Sequence, residues 1–290
     1  MTTTIEVVQS GALTTIQDLG RPGLGHLGIP RSGAADRRSL RRANRLVGNS
    51  EGAPALETTL AGPALRFSAP ATIAITGATV EARLDDRTVA MHAALAVDAG
   101  ATLRVGTAGV GLRTYVAVRG GIEAPLVLGS ASSDLLNALG PAPLAPGMIL
   151  AVGPPHRAPP AAEPQPPPAP AVEPTLRIVL GPREDWFTDA ALHALTHDPY
   201  VVSPDSDRTG VRLRGPVLAR AREDELRSEG MVPGALQVPP SGQPILLLAD
   251  HPTTGGYPVI AVVASADLPI VGQLRPGQSL RFAIGRAAPP

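Results

Sequence analysis

The sequence predicts a mainly β fold with a few short helices, built as two units. Three observations predict this class: apolar runs of strand length recur along the chain, Gly and Pro turns separate them, and a proline-rich stretch interrupts them near the middle. With 290 residues and an apolar fraction of 43%, the chain is long enough for two ordinary domains with real cores. We therefore expect two β-barrel-like units.

The proline-rich stretch covers residues 153–175 and has ten prolines in 23 positions. Proline breaks helices and removes the N–H that a central strand needs, so this stretch predicts a semi-rigid polyproline linker. The expected organisation is a first β unit at 1–152, the linker at 153–175, and a second β unit at 176–290.

Short apolar runs predict the strands on either side of the linker. They begin at residues 72, 94, 102, 114 and 148 before the linker, and at 175, 235, 244 and 258 after it. Helical spacing of apolar residues predicts three helices, within 34–49, 132–140 and 184–196. Two Pro-Gly pairs, Pro146-Gly147 and Pro276-Gly277, predict type II turns before a closing strand in each half.

Composition excludes several classes of function. The charges balance at 25 basic and 25 acidic residues, which leaves no net field to attract nucleic acid or an anionic membrane. There is no cysteine, and all 25 basic residues are arginine. The chain therefore cannot form disulfides or a Schiff base, hold phosphate with a Walker lysine, or carry biotin on its own side chain.

The start of the chain, MTTTIEVVQ, has no basic region followed by an apolar run, and no stretch reaches the ~18 apolar residues of a membrane span. These features predict a soluble cytoplasmic protein.

The densest glycine-rich segment is residues 17–37, where GLGHLG matches the G-x-G-x-x-G spacing of dinucleotide-binding loops. That site needs a helix to begin inside the motif, and Pro22 and Pro30 would break such a helix almost at once. We therefore predict an irregular loop that presents backbone N–H groups and polar side chains, among them Asp18, Arg21 and Ser32.

A second polar loop, within residues 249–263, lies between two apolar strands and carries Asp250, Thr253, Thr254 and Tyr257 around Gly255-Gly256. Loops of this kind at the rim of a barrel concentrate binding residues. A connector whose polar side chains satisfy its own backbone explains the composition equally well.

Two further segments suggest anion binding. In residues 204–215, Asp207 stands beside Arg208, whose guanidinium can fork onto a carboxylate or phosphate, although such a pair is more often a turn that caps itself. Arg119 precedes Gly120-Gly121 at a strand end, which would form an anion-binding corner if the N–H groups converge.

The histidines give little support for a metal site. His193 and His197 stand four apart on a predicted helix, but the glutamate of H-E-x-x-H is replaced by Ala194. A solvated helix face is the preferred interpretation, and we predict no metal site.

Taken in order, the motifs of this chain resemble those of one family. They include QDLGRPG, GIPRSGAADRRSLRRANRLVGN, YVAVRGGI, LGSASS, SDRTGVRLRGP, TTGGYPVIA and QLRPGQSLRF. On these motifs the chain is similar to the biotin-dependent carboxyltransferase family, which includes the C subunits of 5-oxoprolinases and the second subunits of allophanate hydrolases. The resemblance covers nearly the whole chain apart from the linker.

The resemblance implies two cyclophilin-like β units packed around a cleft, and partners homologous to the B and A subunits of 5-oxoprolinase. It also implies ATP-dependent opening of the lactam 5-oxoproline to glutamate, with ATP and Mg²⁺ used in the complex. Because the chain has no lysine, we expect no covalent biotin on it. Lactam activation needs cations on phosphate and a carboxylate for the proton. Expected catalytic residues are Asp18, Asp207 and Asp250; expected substrate or phosphate contacts are Arg21, Ser32, Arg119, Gly120, Gly121, Ser130, Arg208, Gln237, Thr253, Thr254, Gly255, Gly256 and Tyr257.

Two other functions stay open at this point. One is carboxyl transfer of the urea carboxylase type, which would need a separate biotinyl carrier because this chain has no lysine. The other is a regulatory binding protein that antagonises a kinase inhibitor. The chain also departs from the family pattern, with His251-Pro252 where the family has Arg-Gln and Ala131 where it has Arg.

Overall fold

The computed structural model describes residues 3–155 and 171–285. Most of the predicted linker, residues 156–170, lies outside the described residues. The described chain forms two compact units: residues 3–21 with 32–155, and residues 22–31 with 171–285. The glycine-rich segment 22–31 therefore belongs with the second unit, although it is flanked in sequence by the first.

The first unit contains twelve strands in two sheets and one α-helix. The strands are β1 (Thr4–Gln9), β2 (Leu13–Gln17), β3 (Ala55–Thr59), β4 (Ala64–Phe67), β5 (Ala71–Thr79), β6 (Ala82–Leu84), β7 (Arg87–Val89), β8 (Ala94–Val97), β9 (Thr102–Val105), β10 (Val110–Val118), β11 (Ile122–Glu123) and β12 (Ile149–Val152). The sheet orders are β11-β12-β1-β4-β9-β6-β7 and β2-β3-β10-β5-β8. Fully buried side chains of both sheets, such as Phe67 and Ile75, form one core.

Helix α1 (Arg37–Leu46) covers the five-stranded sheet, because Leu40, Ala43 and Leu46 repeat at helical spacing and pack on its buried residues. Asp36 caps the helix: its carboxylate accepts from the Ser39 N–H at 3.0 Å. The α1 prediction is confirmed.

The start of α1 is tied to the sheet by a buried tyrosine. The Tyr115 hydroxyl accepts from the Asp36 N–H at 2.7 Å and donates to Glu57 Oε2 at 2.7 Å. Burial, with the nearby Glu57 charge, raises the pKa of Tyr115 well above its ordinary value, so the hydroxyl stays protonated and keeps donating. This bond positions the segment that returns from the glycine-rich loop.

The second unit is a closed barrel with order β13-β20-β17-β18-β15-β14-β21 and an additional pair β16-β19. Its strands are β13 (Thr175–Leu180), β14 (Tyr200–Val202), β15 (Gly210–Arg214), β16 (Glu229–Gly230), β17 (Ala235–Gln237), β18 (Ile245–Leu247), β19 (Thr254–Gly255), β20 (Val259–Val263) and β21 (Ser279–Ile284). Its helices are α2 (Asp189–His197), which overlaps the helix predicted within 184–196, and α3 (Leu268–Val271). A parallel β13–β21 pairing closes the barrel.

The mainly β prediction is confirmed, and every predicted strand run contains a strand. Both Pro-Gly turns form as expected: Gly147 and Gly277 have φ of 86° and 83°, and i to i+3 bonds join Met148 N to Ala145 O and Gln278 N to Arg275 O at 3.2 and 3.0 Å. In both turns, the left-handed conformation at the second central position explains why glycine is used.

The helix predicted within 132–140 is wrong. Asp134 and Leu139 instead form an isolated antiparallel bridge, and Ala138 has φ of 52°. The Asp134 carboxylate accepts from the Asn137 N–H at 3.0 Å, so a local turn uses the polar groups that a helix would have needed.

Acid should weaken the hydrogen bonds between Asp267 and Arg177 in the barrel. The Arg177 guanidinium donates to Asp267 Oδ2 at 2.9 Å and the Arg177 backbone N–H donates to the same oxygen at 2.8 Å; together these bonds lower the pKa of that carboxyl from its ordinary value of 3.8. A lowered folded pKa adds stability that is fully present above pH 3.8 and is lost as the pH falls through the lowered value. We expect urea midpoints measured between pH 6 and about pH 2.5 to fall less steeply for Asp267→Asn than for the unaltered protein. Equal slopes would contradict this assignment.

Candidate functional site

Asp18, at the end of β2, is the centre of a buried hydrogen-bond cluster in the first unit. Its Oδ1 accepts from the Ser130 hydroxyl at 2.7 Å, the Ser132 hydroxyl at 2.5 Å and the Gly20 N–H at 2.7 Å. Its Oδ2 accepts from the Ala131 N–H at 2.8 Å. The carboxylate thus clasps the 130–132 segment to the end of β2. This geometry favours a positioning role for Asp18 and gives its oxygens little freedom to handle a proton.

The side chain of Arg21 is buried beside this clasp, with 2% of its surface exposed. Its Nε donates to Val127 O at 3.3 Å and Nη2 to Ser132 O at 2.5 Å. Among the described residues, no carboxylate forms an ion pair with it, and Nη1 has no hydrogen-bond partner. A buried cation that contacts only carbonyl groups is costly unless an anion joins it. This arrangement is what an anion-binding site requires.

Gln17, Ser32 and Ser133 complete the cluster. Gln17 Nε2 donates to Ser133 O at 2.9 Å, and the Ser32 hydroxyl donates to the same oxygen at 3.1 Å. All three residues are buried. Sequence reasoning selected Ser32 and Ser130 but not Gln17, Ser132 or Ser133. The sequence feature that could have indicated the missed serines is the run of hydroxyl side chains at Ser130, Ser132 and Ser133. All three are fully buried, which is unusual for serine.

Close backbone contact brings the two ends of the glycine-rich loop together. Gly33 has φ of +90°, and a Cβ there would lie 2.7 Å from Gly20 N and 2.8 Å from Leu19 C. Glycine is therefore required at this position on both conformational and steric grounds. The contact sets Ser32 next to the start of the segment that carries Arg21.

Two alanine substitutions in this region should differ sharply. Gly33→Ala combines left-handed strain with overlap on backbone atoms, whereas Gly23→Ala, at φ of +86°, meets nothing within 4 Å. We expect a loss of about 1 kcal/mol for Gly23→Ala and at least about 2 kcal/mol for Gly33→Ala. Urea unfolding of the two variants checks this expectation, and equal losses would show that the Gly33 contact is not tight.

In the barrel unit, Arg208 and Asp250 form a fully buried, bidentate ion pair. The Nε to Oδ2 distance is 2.8 Å and the Nη2 to Oδ1 distance is 3.0 Å, and the side chains are 2% and 0% exposed. The Asp250 N–H also donates to Arg208 O at 2.9 Å. Arg208 precedes β15 and Asp250 follows β18. These two strands pair antiparallel, with Gly210 opposite Leu247. The fold thus brings together two predicted site residues that are 42 positions apart.

The Asp207 carboxylate accepts hydrogen bonds within its own turn. Its Oδ1 accepts from the N–H groups of Thr209 and Gly210 at 2.7 and 3.1 Å, and the residue is exposed. This is the self-capping alternative recognised in the sequence. It leaves the expected catalytic role of Asp207 without support.

Gly120 and Gly121 form a turn whose N–H groups are already used. Gly120 N donates to Asn49 Oδ1 at 2.8 Å, and Gly121 N donates to Val118 O at 2.8 Å. The predicted anion-binding corner therefore has no support at these two amides. Arg119 is half-buried beside them.

The remaining predicted residues lie in the barrel unit, one at the end of β17 and the others within residues 253–257. Gln237 is buried at the end of β17, and its Nε2 donates to Tyr257 O at 3.3 Å. Tyr257 is 44% exposed, and Thr253 O accepts from Met231 N at 2.9 Å. Thr254 and Gly255 pair with Glu229–Gly230, and Gly256 is exposed. Three of these residues, Thr254, Gly256 and Tyr257, are exposed to solvent.

His193 and His197 stack with ring centroids 3.8 Å apart on α2, and His197 Nδ1 lies 2.9 Å from His193 O. The described part of the chain contains no group of three or more His, Asp or Glu side chains arranged to hold a metal ion.

Within the same residues, no helix is both long enough and apolar enough to cross a membrane.

Comparison with known proteins extends over nearly the whole chain. The carboxyltransferase domain family, subdomains A and B, matches residues 27–284. The chain is 40% identical to the 5-oxoprolinase C subunit of Escherichia coli, a match covering 96% of this chain and 90% of that protein. It is 36% identical to the equivalent protein of Haemophilus influenzae, and 35% identical to the urea amidolyase of Saccharomyces cerevisiae, of which the match covers only 16%.

Two solved structures share the fold. TTHA0988 aligns with a TM-score of 0.88 at 39% identity, and the Kluyveromyces lactis urea amidolyase with a TM-score of 0.90 at 34% identity. Each alignment covers 97% of this chain, which spans 55% of the TTHA0988 chain and 18% of the urea amidolyase chain. On its sequence and its fold, the chain belongs to the carboxyltransferase domain family, subdomains A and B.

Proposed function

We propose that the chain is the C subunit of an ATP-dependent 5-oxoprolinase complex that opens 5-oxoproline to glutamate. The observation that carries this proposal is the buried Arg21, a cation without an anionic partner among the described residues, in a chain whose relatives include 5-oxoprolinase C subunits over 90% of their length. The substrate of this reaction is a small carboxylate, which is the ligand that such a cation accepts.

The chemistry explains why cations are needed. A lactam resists hydrolysis because resonance stabilises it. Transfer of the γ-phosphoryl group of ATP to the lactam carbonyl oxygen would release ADP; water would then add to the carbonyl carbon, the ring C–N bond would break, and phosphate would leave to give glutamate. Buried donors would orient the substrate and stabilise charge, since they act more strongly away from water. We assign the anion contact to Arg21 and the placement of the surrounding segment to Asp18.

In the barrel unit, the buried Arg208–Asp250 pair lies at the start of the loop that carries the exposed Thr254 and Tyr257. We further propose that the complex contains homologues of the B and A subunits of 5-oxoprolinase and acts in the cytoplasm.

A second candidate is carboxyl transfer of the urea carboxylase type. The urea amidolyase structure, with a TM-score of 0.90, favours it. Because this chain has no lysine, carboxybiotin would have to come from a separate carrier. The extent of the match favours the first candidate, since the chain covers 90% of the E. coli 5-oxoprolinase protein and only 16% of the yeast urea amidolyase.

Reconstitution tests the proposal. The chain is co-purified with its B-type partner, supplemented with the A-type partner, and assayed for glutamate from 5-oxoproline with and without ATP. We expect ATP-dependent glutamate that disappears when the chain is omitted. Glutamate formed equally well without the chain would contradict the proposal.

A further inference from the structure

Three buried polar atoms around residues 132–133 have no hydrogen-bond partner among residues 3–155 and 171–285: Arg21 Nη1, Gln17 Oε1 and Ser133 Oγ. The three side chains are 2%, 0% and 0% exposed. Gln17 and Arg21 are also anchored to consecutive carbonyls, Ser133 O and Ser132 O, at 2.9 and 2.5 Å. Two of these side chains are held by the carbonyls of residues 132–133 and the third belongs to residue 133, and such a group is unusual because buried polar groups are nearly always paired.

The orientation of the Gln17 amide is determined by its neighbours. Ser133 O is a carbonyl and can only accept, so the amide atom 2.9 Å from it must be the NH₂ group. The same NH₂ group donates to Thr15 Oγ1 at 3.1 Å. The open atom is therefore the carbonyl oxygen Oε1, and it requires a donor from its ligand.

The three atoms demand different groups from a ligand. Arg21 Nη1 demands an anionic oxygen, Gln17 Oε1 demands an N–H or O–H donor, and the Ser133 hydroxyl can donate or accept. A carboxylate alone would satisfy the arginine and leave the amide oxygen unpaired. A small molecule with a carboxylate next to an N–H group satisfies all three.

We propose that Gln17 is a specificity-determining residue of this site, selecting a carboxylate that carries a neighbouring lactam or amide N–H. This inference rests on the proposed function and deepens it, because 5-oxoproline has its ring N–H on the carbon that bears the carboxylate. Arg21 binds the carboxylate, Gln17 Oε1 accepts from the N–H, and the Asp18 clasp holds the segment to which both side chains are anchored.

The test compares three probes binding to the reconstituted complex by titration calorimetry: 5-oxoproline, its lactone analogue 5-oxotetrahydrofuran-2-carboxylate, and 2-pyrrolidinone. The lactone replaces the N–H by an oxygen, and 2-pyrrolidinone lacks the carboxylate. We expect the lactone to bind at least about 10-fold more weakly than 5-oxoproline, because Gln17 Oε1 would then face another acceptor. We expect 2-pyrrolidinone to bind more weakly still.

The variant Gln17→Met removes the acceptor while keeping the length of the side chain. We expect it to bring the lactam-to-lactone affinity ratio close to one. If Gln17 has a purely structural role, Gln17→Met should weaken the binding of both the lactam and the lactone and leave their affinity ratio unchanged. If internal water occupies these three atoms instead of a ligand, the ratio should also stay unchanged. Either result overturns the inference. Arg38→Gln, on the exposed face of α1, should keep the ratio of the unaltered complex.

Failure of this inference is distinguishable from failure of the proposed function. A complex that makes glutamate but binds lactam and lactone equally keeps the function and loses the role of Gln17. A complex that makes no glutamate but loses lactam preference on Gln17→Met keeps the ligand class and loses the 5-oxoprolinase assignment.

Discussion

Replacing Arg21 by alanine is expected to lower glutamate formation by the reconstituted complex by about 10- to 150-fold, the range set by one charge-assisted hydrogen bond of about 1.5 to 3 kcal/mol. The effect should appear in kcat/KM, because the anionic substrate loses the cation that binds it. The measurement is initial rate against 5-oxoproline concentration at saturating ATP.

Arg21 also holds two carbonyl groups, so the experiment needs a readout that a structural role would not move. Added guanidinium ion should partly restore the Arg21→Ala rate, since it can occupy the space left by the side chain and supply the missing charge. Arg38→Gln removes an exposed arginine and should leave the rate unchanged. An Arg21→Ala complex that assembles normally and retains its full rate would exclude Arg21 as the anion contact.

Asp250→Asn should be the most destabilising of the substitutions considered, by about 3–5 kcal/mol, because it removes the buried carboxylate charge that pairs with the Arg208 guanidinium. Urea unfolding followed by circular dichroism measures the loss. Asp205→Asn is the matched control: its ion pair with Arg214 is 3.6 Å long and its side chain is 70% exposed, so it should cost less than about 1 kcal/mol.

A double variant separates burial from pairing. Arg208→Met with Asp250→Leu removes both charges and should recover most of the stability lost in Asp250→Asn. If Asp250→Asn costs no more than the Asp205 control, the pair is not the buried anchor described here. If Asp250→Asn is stable and the complex keeps its full rate, Asp250 is also removed as a catalytic candidate.

Elements whose causes are local could be predicted from the sequence. Helix α1 follows from Leu40, Ala43 and Leu46 at helical spacing after the Asp36 cap, and the strands follow from apolar runs between Gly and Pro turns. In residues 132–140 the leucines have helical spacing and predict a helix. The structure has a tight turn there instead, which involves Asp134 and Ala138. Turn chemistry there overrides apolar periodicity.

The candidate site was only partly predictable, because its contacts join distant positions. Asp18 looked like a proton carrier in the sequence; the reason for its position is a set of donors 112 to 114 positions away, at Ser130, Ala131 and Ser132. Gln17 lies at the start of the same glycine-rich segment, but it is not among the expected site residues. Its role depends on which amide atom faces Ser133 O, and no sequence pattern gives that information.

The proposed function requires that this chain complete an enzyme acting on 5-oxoproline. The most direct measurement is ADP release by the fully reconstituted complex offered either 5-oxoproline or urea, with glutamate measured in parallel. We expect ADP release with 5-oxoproline in step with glutamate, dependent on the chain, and none above background with urea. ADP release that depends on urea and a biotinylated carrier, with no glutamate from 5-oxoproline, would contradict it and favour carboxyl transfer.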